Sequence, residues 1–209
     1  MNLASRIVGI GVDIVPLARV KGMVARHGAE RLSRRLLAPG PEAAGLMRLL
    51  EEFQADGRPG SPPAAMQARS GTIRVPFPEA ESKRIVSYVA GCFAAKEATY
   101  KAAFPAALVN LREVALVRPS EANERGTGKP LLHLSPALCH QLGLSAGAPD
   151  QTAIPIGVEV PKPTKTSDCA AAAPGAADRQ PGPCEGAHVS LSHDGGMVVA
   201  MVVLEARGE

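Results

Sequence analysis

Within Gly91-Cys-Phe-Ala-Ala-Lys-Glu-Ala-Thr-Tyr-Lys-Ala-Ala-Phe104, Lys96, Glu97 and Lys101 stand among apolar residues at helical spacing. Glu97 and Lys101 are four apart, so on an α-helix they share a face, and Phe93 joins that row one turn earlier. A carboxylate and an amine so placed can hold a metal ion and handle a proton or a negative charge in one site. The same spacing also describes an exposed Glu–Lys pair on an amphipathic helix, which would add only roughly 0.2–0.5 kcal/mol.

A second carboxylate stands in an apolar run near the N-terminus. Ile7-Val-Gly-Ile-Gly-Val-Asp-Ile-Val15 reads as a buried strand, with Ile10, Val12 and Ile14 on one face and Gly9, Gly11 and Asp13 on the other. The glycine face is cleared for close backbone approach. A buried carboxylate needs a cation or a hydrogen-bonding role, so Asp13 is either a metal ligand or the cap of the helix that Pro16 introduces.

The third element is His188-Val-Ser-Leu-Ser-His-Asp-Gly-Gly-Met-Val-Val-Ala-Met-Val-Val-Leu-Glu205, two strands joined through Asp194-Gly195-Gly196. Asp-Gly supplies the positive-φ positions that a tight hairpin turn requires. Ser190, Ser192 and His193 lie at its entrance and could donate to a phosphate, or simply line the wet face of an edge strand.

Taken in order, these elements resemble the holo-acyl-carrier-protein synthases, which are 4′-phosphopantetheinyl transferases. The resemblance rests on a GIGxDI start (Gly9 to Ile14), a central FAAKEAxxKA helix (Phe93 to Ala102), a GKP turn (Gly128-Lys129-Pro130) and a terminal VSLSHD hairpin (Val189 to Asp194). It implies an α+β fold, an antiparallel sheet packed against a long central helix, in a single domain spanning residues 1–209. It also implies transfer of 4′-phosphopantetheine from coenzyme A to a serine of an apo-acyl carrier protein, releasing adenosine 3′,5′-bisphosphate, in the service of fatty acid biosynthesis. The other reading is a module that binds coenzyme A or the carrier protein without turnover.

Carried over by position, Asp13 and Glu97 would bind Mg²⁺, and with Lys101 they form the implied catalytic set. Mg²⁺ takes one or two carboxylates and fills its other positions with water and phosphate oxygens. Lys101 would contact the same phosphates. An ordinary lysine is protonated at neutral pH, so stabilisation of charge suits it better than a base role. His193 would approach a phosphate of coenzyme A, while Gly128, Lys129 and Pro130 would hold its adenine end. Family members in bacteria carry Arg where this chain has Cys92, which removes a bidentate cation that Cys cannot replace. The resemblance further implies a homotrimer with active sites between subunits.

The elements that would position this set can be read from pattern. Strand Ile7–Val15, helix Leu17–His27, a helix around Pro41–Phe53, helix Ser82–Ala103, strands near Glu113–Val117 and Leu131–Leu134, a helix around Pro136–Leu142, and strands His188–Ser192 and Met197–Leu204 are expected. The sheet is expected to bury its apolar face under the Glu97 helix and so bring Asp13 beside Glu97. Pro- and Gly-rich stretches at residues 55–70 and 145–187 read as disordered insertions, since they bury too little apolar surface to offset their ordering entropy. A short strand at Thr152 to Val160 is expected inside the second.

Composition fits an intracellular soluble protein, cytoplasmic or mitochondrial. Hydrophobic residues make up 45%, charged residues 21%, and no apolar run nears the roughly 18 residues of a membrane span. The short leader before the first strand does not read as a targeting peptide. Four cysteines without CxxC or zinc-finger spacing read as reduced thiols. The net charge is only +3, yet Arg19, Lys21, Arg26, Arg31, Arg34 and Arg35 cluster between Pro16 and Leu37. Such a face suits an acidic partner, and carrier proteins are typically acidic, so Arg19 is placed in the substrate contact. Only 3% aromatics argues against nucleic acid.

Overall fold

The computed structural model describes residues 5–55, 79–118, 129–146 and 181–207. In chain order these form β1 (Ser5–Pro16), α1 (Leu17–His27), α2 (Ala29–Leu36), α3 (Pro41–Ala55), α4 (Glu79–Ala103), a 3₁₀ turn (Leu111–Glu113), β2 (Val114–Val117), β3 (Leu131–Leu134), α5 (Pro136–Gln141), β4 (Ser145–Ala146), β5 (Gly182–Glu185), β6 (Ala187–Asp194) and β7 (Met197–Arg207). Gly128 and the expected strand at Thr152 to Val160 lie outside the described residues, as does most of both glycine- and proline-rich stretches.

The expected α+β architecture forms, with two antiparallel sheets in place of one. The first has the order β1-β7-β6 and the second β2-β3-β5-β4. β6 and β7 make the hairpin that Asp194-Gly195-Gly196 foretells, and both glycines take positive φ, 55° and 78°. The Gly196 carbonyl then accepts from the Leu17 N–H at 2.8 Å, tying the hairpin tip to the first turn of α1.

α4 lies across the first sheet with an inward stripe of small residues: Ala90, Ala94, Ala95, Ala98 and Ala102 are all buried. Small side chains on both partners let backbones meet. A Cβ added at Gly9 would lie 1.9 Å from the Ala102 carbonyl oxygen, and one at Gly11 would lie 1.9 Å from that of Ala98. Two residues along β1 thus match four along α4, which fixes the register of strand on helix.

This contact overturns one expectation. The glycine face of β1 meets α4, and the face bearing Ile7, Ile10, Val12 and Ile14 points outward, together with Met197 and Met201 of β7. An isoleucine on the inner face would hold the strand away from the helix. Apolar closure on the inner side comes instead from β7, whose Val198, Ala200, Val202 and Leu204 are buried.

Several elements were not expected. α2 carries Arg31, Arg34 and Arg35, so its sequence reads as a charge run, but Leu32 and Ala29 anchor it in the core. Gly28 separates it from α1 at φ 74°, its N–H donating to the Val24 carbonyl at 2.8 Å. β4 and β5 lie at the margins of the segment read as disordered, and β5 pairs with both β3 and β4. Residues 182–185 and Ala187 therefore belong to strands, with Gly186 turning between them at φ 85°. No described helix is long and apolar enough to cross a membrane.

Candidate functional site

The register of β1 on α4 carries Asp13 to the helix row that bears Glu97 and Lys101. Lys101 Nζ donates to Asp13 Oδ1 at 2.9 Å and to the Val12 carbonyl at 2.9 Å. The lysine side chain is 51% exposed and the aspartate 15%. Glu97, half-buried, sits one turn before Lys101, and Phe93 one turn before that. Arg19 of α1 places its guanidinium 5.6 Å from the centre of the Phe93 ring, so a second cation borders the same row.

Asp13 does not cap α1. The residue at the cap is Pro16, and no side chain accepts from the first turn of the helix. With capping excluded, Asp13 is a carboxylate at a polar lip beside the Lys101 ammonium. Asp13 and Glu97 are hard oxygen donors of the kind Mg²⁺ prefers. No group of three or more His, Cys, Asp or Glu side chains placed to hold a metal forms among the described residues. Two carboxylates suffice for an ion that completes its sphere with water and substrate phosphate.

The other expected residues lie further away. His193 is exposed beside the hairpin turn, paired across the sheet with Val198, whose other neighbour on β1 is Val15. It shares the inner side of the sheet with Val189 and Leu191, as the period of two requires. Lys129 and Pro130 lead into β3 of the second sheet, Lys129 exposed. Among the described residues no hydrogen bond or ion pair joins Lys129 or His193 to Asp13, whose cation is Lys101 of the same chain.

The opposite face of α4 holds a second charged pair that sequence reasoning missed. Lys96 Nζ lies 2.7 Å from Glu42 Oε2, and both side chains are fully buried. Lys96 also donates to the carbonyls of Leu111 and Val114, the first at 2.7 Å. The Ala38 and Leu116 amides donate to the two Glu42 carboxylate oxygens at 2.6 and 3.1 Å, and the Tyr88 hydroxyl donates to the Glu42 carbonyl at 2.6 Å. These bonds tie α3, α4 and β2 together. Burial pulls the Lys96 ammonium down from its ordinary value, against the opposing pull of Glu42. Burial likewise pushes the Tyr88 hydroxyl and the Cys92 thiol up. Cys92 is fully buried beside this pair. In this chain the position therefore faces the core rather than the Asp13 lip.

The family model for the 4′-phosphopantetheinyl transferase superfamily matches residues 9–145. No curated relative matches the chain. The holo-ACP synthase of Plasmodium yoelii is similar in structure, with a TM-score of 0.50 at 15% identity, over 98% of this chain and 99% of that one. A second structure from that organism, an acyl carrier protein synthase with ADP bound, gives a TM-score of 0.51 at 14% identity over the same shares. The holo-[acyl-carrier-protein] synthase of Neisseria meningitidis is 22% identical over 95% of this chain and 98% of that one, with a TM-score of 0.46. The superfamily match covers more than half of the sequence, from the first glycine of β1 to β4, and includes Asp13, Glu97 and Lys101. By that match the chain belongs to the 4′-phosphopantetheinyl transferase superfamily.

Proposed function

We propose that this protein is a holo-acyl-carrier-protein synthase, moving 4′-phosphopantetheine from coenzyme A to a serine hydroxyl of an apo-acyl carrier protein. The observation that carries this reading is the Lys101–Asp13 ion pair at 2.9 Å, with Glu97 one turn away, at the glycine-cleared crossing of β1 and α4. Family membership supplies the chemistry, and the crossing supplies its residues.

In this reading Asp13 and Glu97 hold Mg²⁺, which when bound positions the pyrophosphate and offsets charge on the leaving phosphate. Lys101 is half exposed and ion-paired, which suits an ammonium that swings from Asp13 to a phosphate oxygen rather than a base. The serine proton passes to water or to a carboxylate of the pair. Lys129, Gly128 and Pro130 hold the adenine end of coenzyme A, and His193 contacts a phosphate.

Arg19 and the exposed cations of α1 and α2, Lys21, Arg26, Arg31, Arg34 and Arg35, form the docking face for an acidic carrier protein. Long-range attraction raises the encounter rate, so carrier-protein use should fall with added salt. Ile7, Ile10 and Ile14 are 59%, 57% and 54% exposed on the outer face of the first sheet. Such a patch is characteristic of an interface, and it supports the homotrimer. Assembly would let His193 and Lys129 of one protomer complete the Asp13 centre of the next, which explains their separation within one chain. The fatty acid pathway follows from the carrier protein.

The test is intact-mass measurement of an apo-acyl carrier protein after incubation with this protein, coenzyme A and Mg²⁺. A gain of one phosphopantetheine that EDTA blocks is expected, and Asp13→Ala and Glu97→Ala should each abolish it. No gain with several carrier proteins, while coenzyme A still binds, would favour the binding module.

A further inference from the structure

Two of the four cysteines, which sequence spacing reads as reduced thiols, meet where α5 packs beside the second sheet. Cys139 of α5 and Cys184 of β5 are 45 residues apart in the chain, yet their sulfurs lie 2.9 Å from each other. That separation exceeds the disulfide bond length of about 2.0 Å by less than about 1 Å. We propose that Cys139 and Cys184 are an oxidation site, a dithiol that closes to a disulfide and clamps β5 onto α5.

The surrounding structure holds both sulfurs in place. Ser135 caps α5, its hydroxyl accepting from the Leu138 N–H at 3.2 Å, and Pro136 opens the first turn. The Cys139 N–H donates to the Ser135 carbonyl at 2.9 Å, and the Cys139 carbonyl accepts from Leu144 at 2.8 Å. Cys184 is fixed by strand pairing with Ala146 of β4, next to the Pro183–His133 pair that joins β5 to β3. Cys139 is buried and Cys184 half-buried, so a small disulfide reaches the pair from the β5 side.

Reactivity is divided between them. The contact with Cys184 lowers the Cys139 pKa, whereas Cys184 is pushed up by the same contact and by burial. With an external disulfide as oxidant, the Cys139 thiolate attacks one sulfur, the external S–S bond breaks, and one thiolate leaves. Cys184 gives its proton to that thiolate and attacks the Cys139 sulfur, expelling the second. Two protein thiols are oxidised and one disulfide is reduced to two thiols.

The bond would span the two ends of the segment 147–180 and tie β5, and through it β3, to α5. Closing a loop of this length restricts the unfolded chain and should raise Tm by about 5 °C or more. The test incubates the full chain with graded ratios of oxidised to reduced glutathione, then alkylates under denaturing conditions and maps the peptides. Expected are a Cys139–Cys184 crosslinked peptide, alkylation of Cys92 and Cys169, and a Tm rise that dithiothreitol reverses. Cys139→Ser and Cys184→Ser should each remove both the crosslink and the rise. Alkylation of all four cysteines at every ratio would overturn the proposal. So would glutathione retained on Cys184, or a crosslink to Cys169 instead.

Discussion

Lys96 and Lys101 lie five residues apart on one helix, each beside a carboxylate, and they do different work. Lys96 meets Glu42 with both side chains at 0% exposure, Lys96 tied also to the carbonyls of Leu111 and Val114 and Glu42 to the amides of Ala38 and Leu116. Lys101 meets Asp13 at the lip, 51% exposed, with one backbone carbonyl as its other partner. Charge locked on all sides cannot be offered to a substrate, whereas a half-exposed ammonium can exchange one anion for another. The sequence motif Ala-Ala-Lys-Glu-Ala-Thr-Tyr-Lys therefore joins an anchor for the fold to the proposed site for chemistry, on two faces of α4.

Substituting the anchor should break the fold. Lys96→Met leaves the Glu42 carboxylate buried without its cation, and should cost about 3–5 kcal/mol of stability in denaturant unfolding. The double variant Glu42→Leu/Lys96→Met should recover much of that loss, because it removes both charges. A double variant no better than the single one would show that the bonds from Ala38 and Leu116 to Glu42 matter more than the charge.

The crossing between the two regions is next in size. Gly11→Ala would drive a methyl group into the Ala98 carbonyl, so β1 must shift from α4. A loss of about 1–3 kcal/mol is expected, with a fall in transfer as Asp13 moves. Gly22→Ala, where a Cβ meets nothing within 4 Å, should do neither. Equal effects at both positions would contradict the close-approach argument.

How these features could be read in advance differs from one to the next. β1, α1, α4 and the hairpin follow from local pattern, namely alternation, the 3.6 period and Asp-Gly-Gly turn chemistry. β5 could not be read this way, because Gly182-Pro183-Cys184-Glu185 has weak strand preference and becomes a strand through pairing with β3 and β4. The Glu42 partnership is likewise tertiary, joining the start of α3 to the middle of α4. The outward face of β1 departs from the expected burial for a physical reason: the glycines opposite the apolar row allow the closer approach to α4. Asp13, Glu97 and Lys101 were legible because a strand carboxylate and an i, i+4 pair are local signals, and the fold joins them. His193 and Lys129 were placed by resemblance alone, and one chain leaves them apart.

The smallest effect is the pH response of the anchor. Tyr88 and Cys92 have folded-state pKa values raised above their ordinary 10.0 and 9.0, so the stability they contribute is present below those values and is lost as pH rises through and beyond them. Lys96, with its value lowered, works in the opposite sense below 10.5. Because Lys96 offsets Cys92 below 10.5, the net expectation is a fall in Tm above about pH 10 that Tyr88→Phe makes shallower. A Tm that is flat to pH 11 would remove Tyr88 and Cys92 from this account.

The most direct test of the division of labour is the transfer rate of Lys101→Met, read by intact mass of the carrier protein beside the thermal melt of the same sample. The account predicts a rate lower by about 10²–10³-fold with Tm within about 2 °C of the parent chain. Transfer at the parental rate would contradict it.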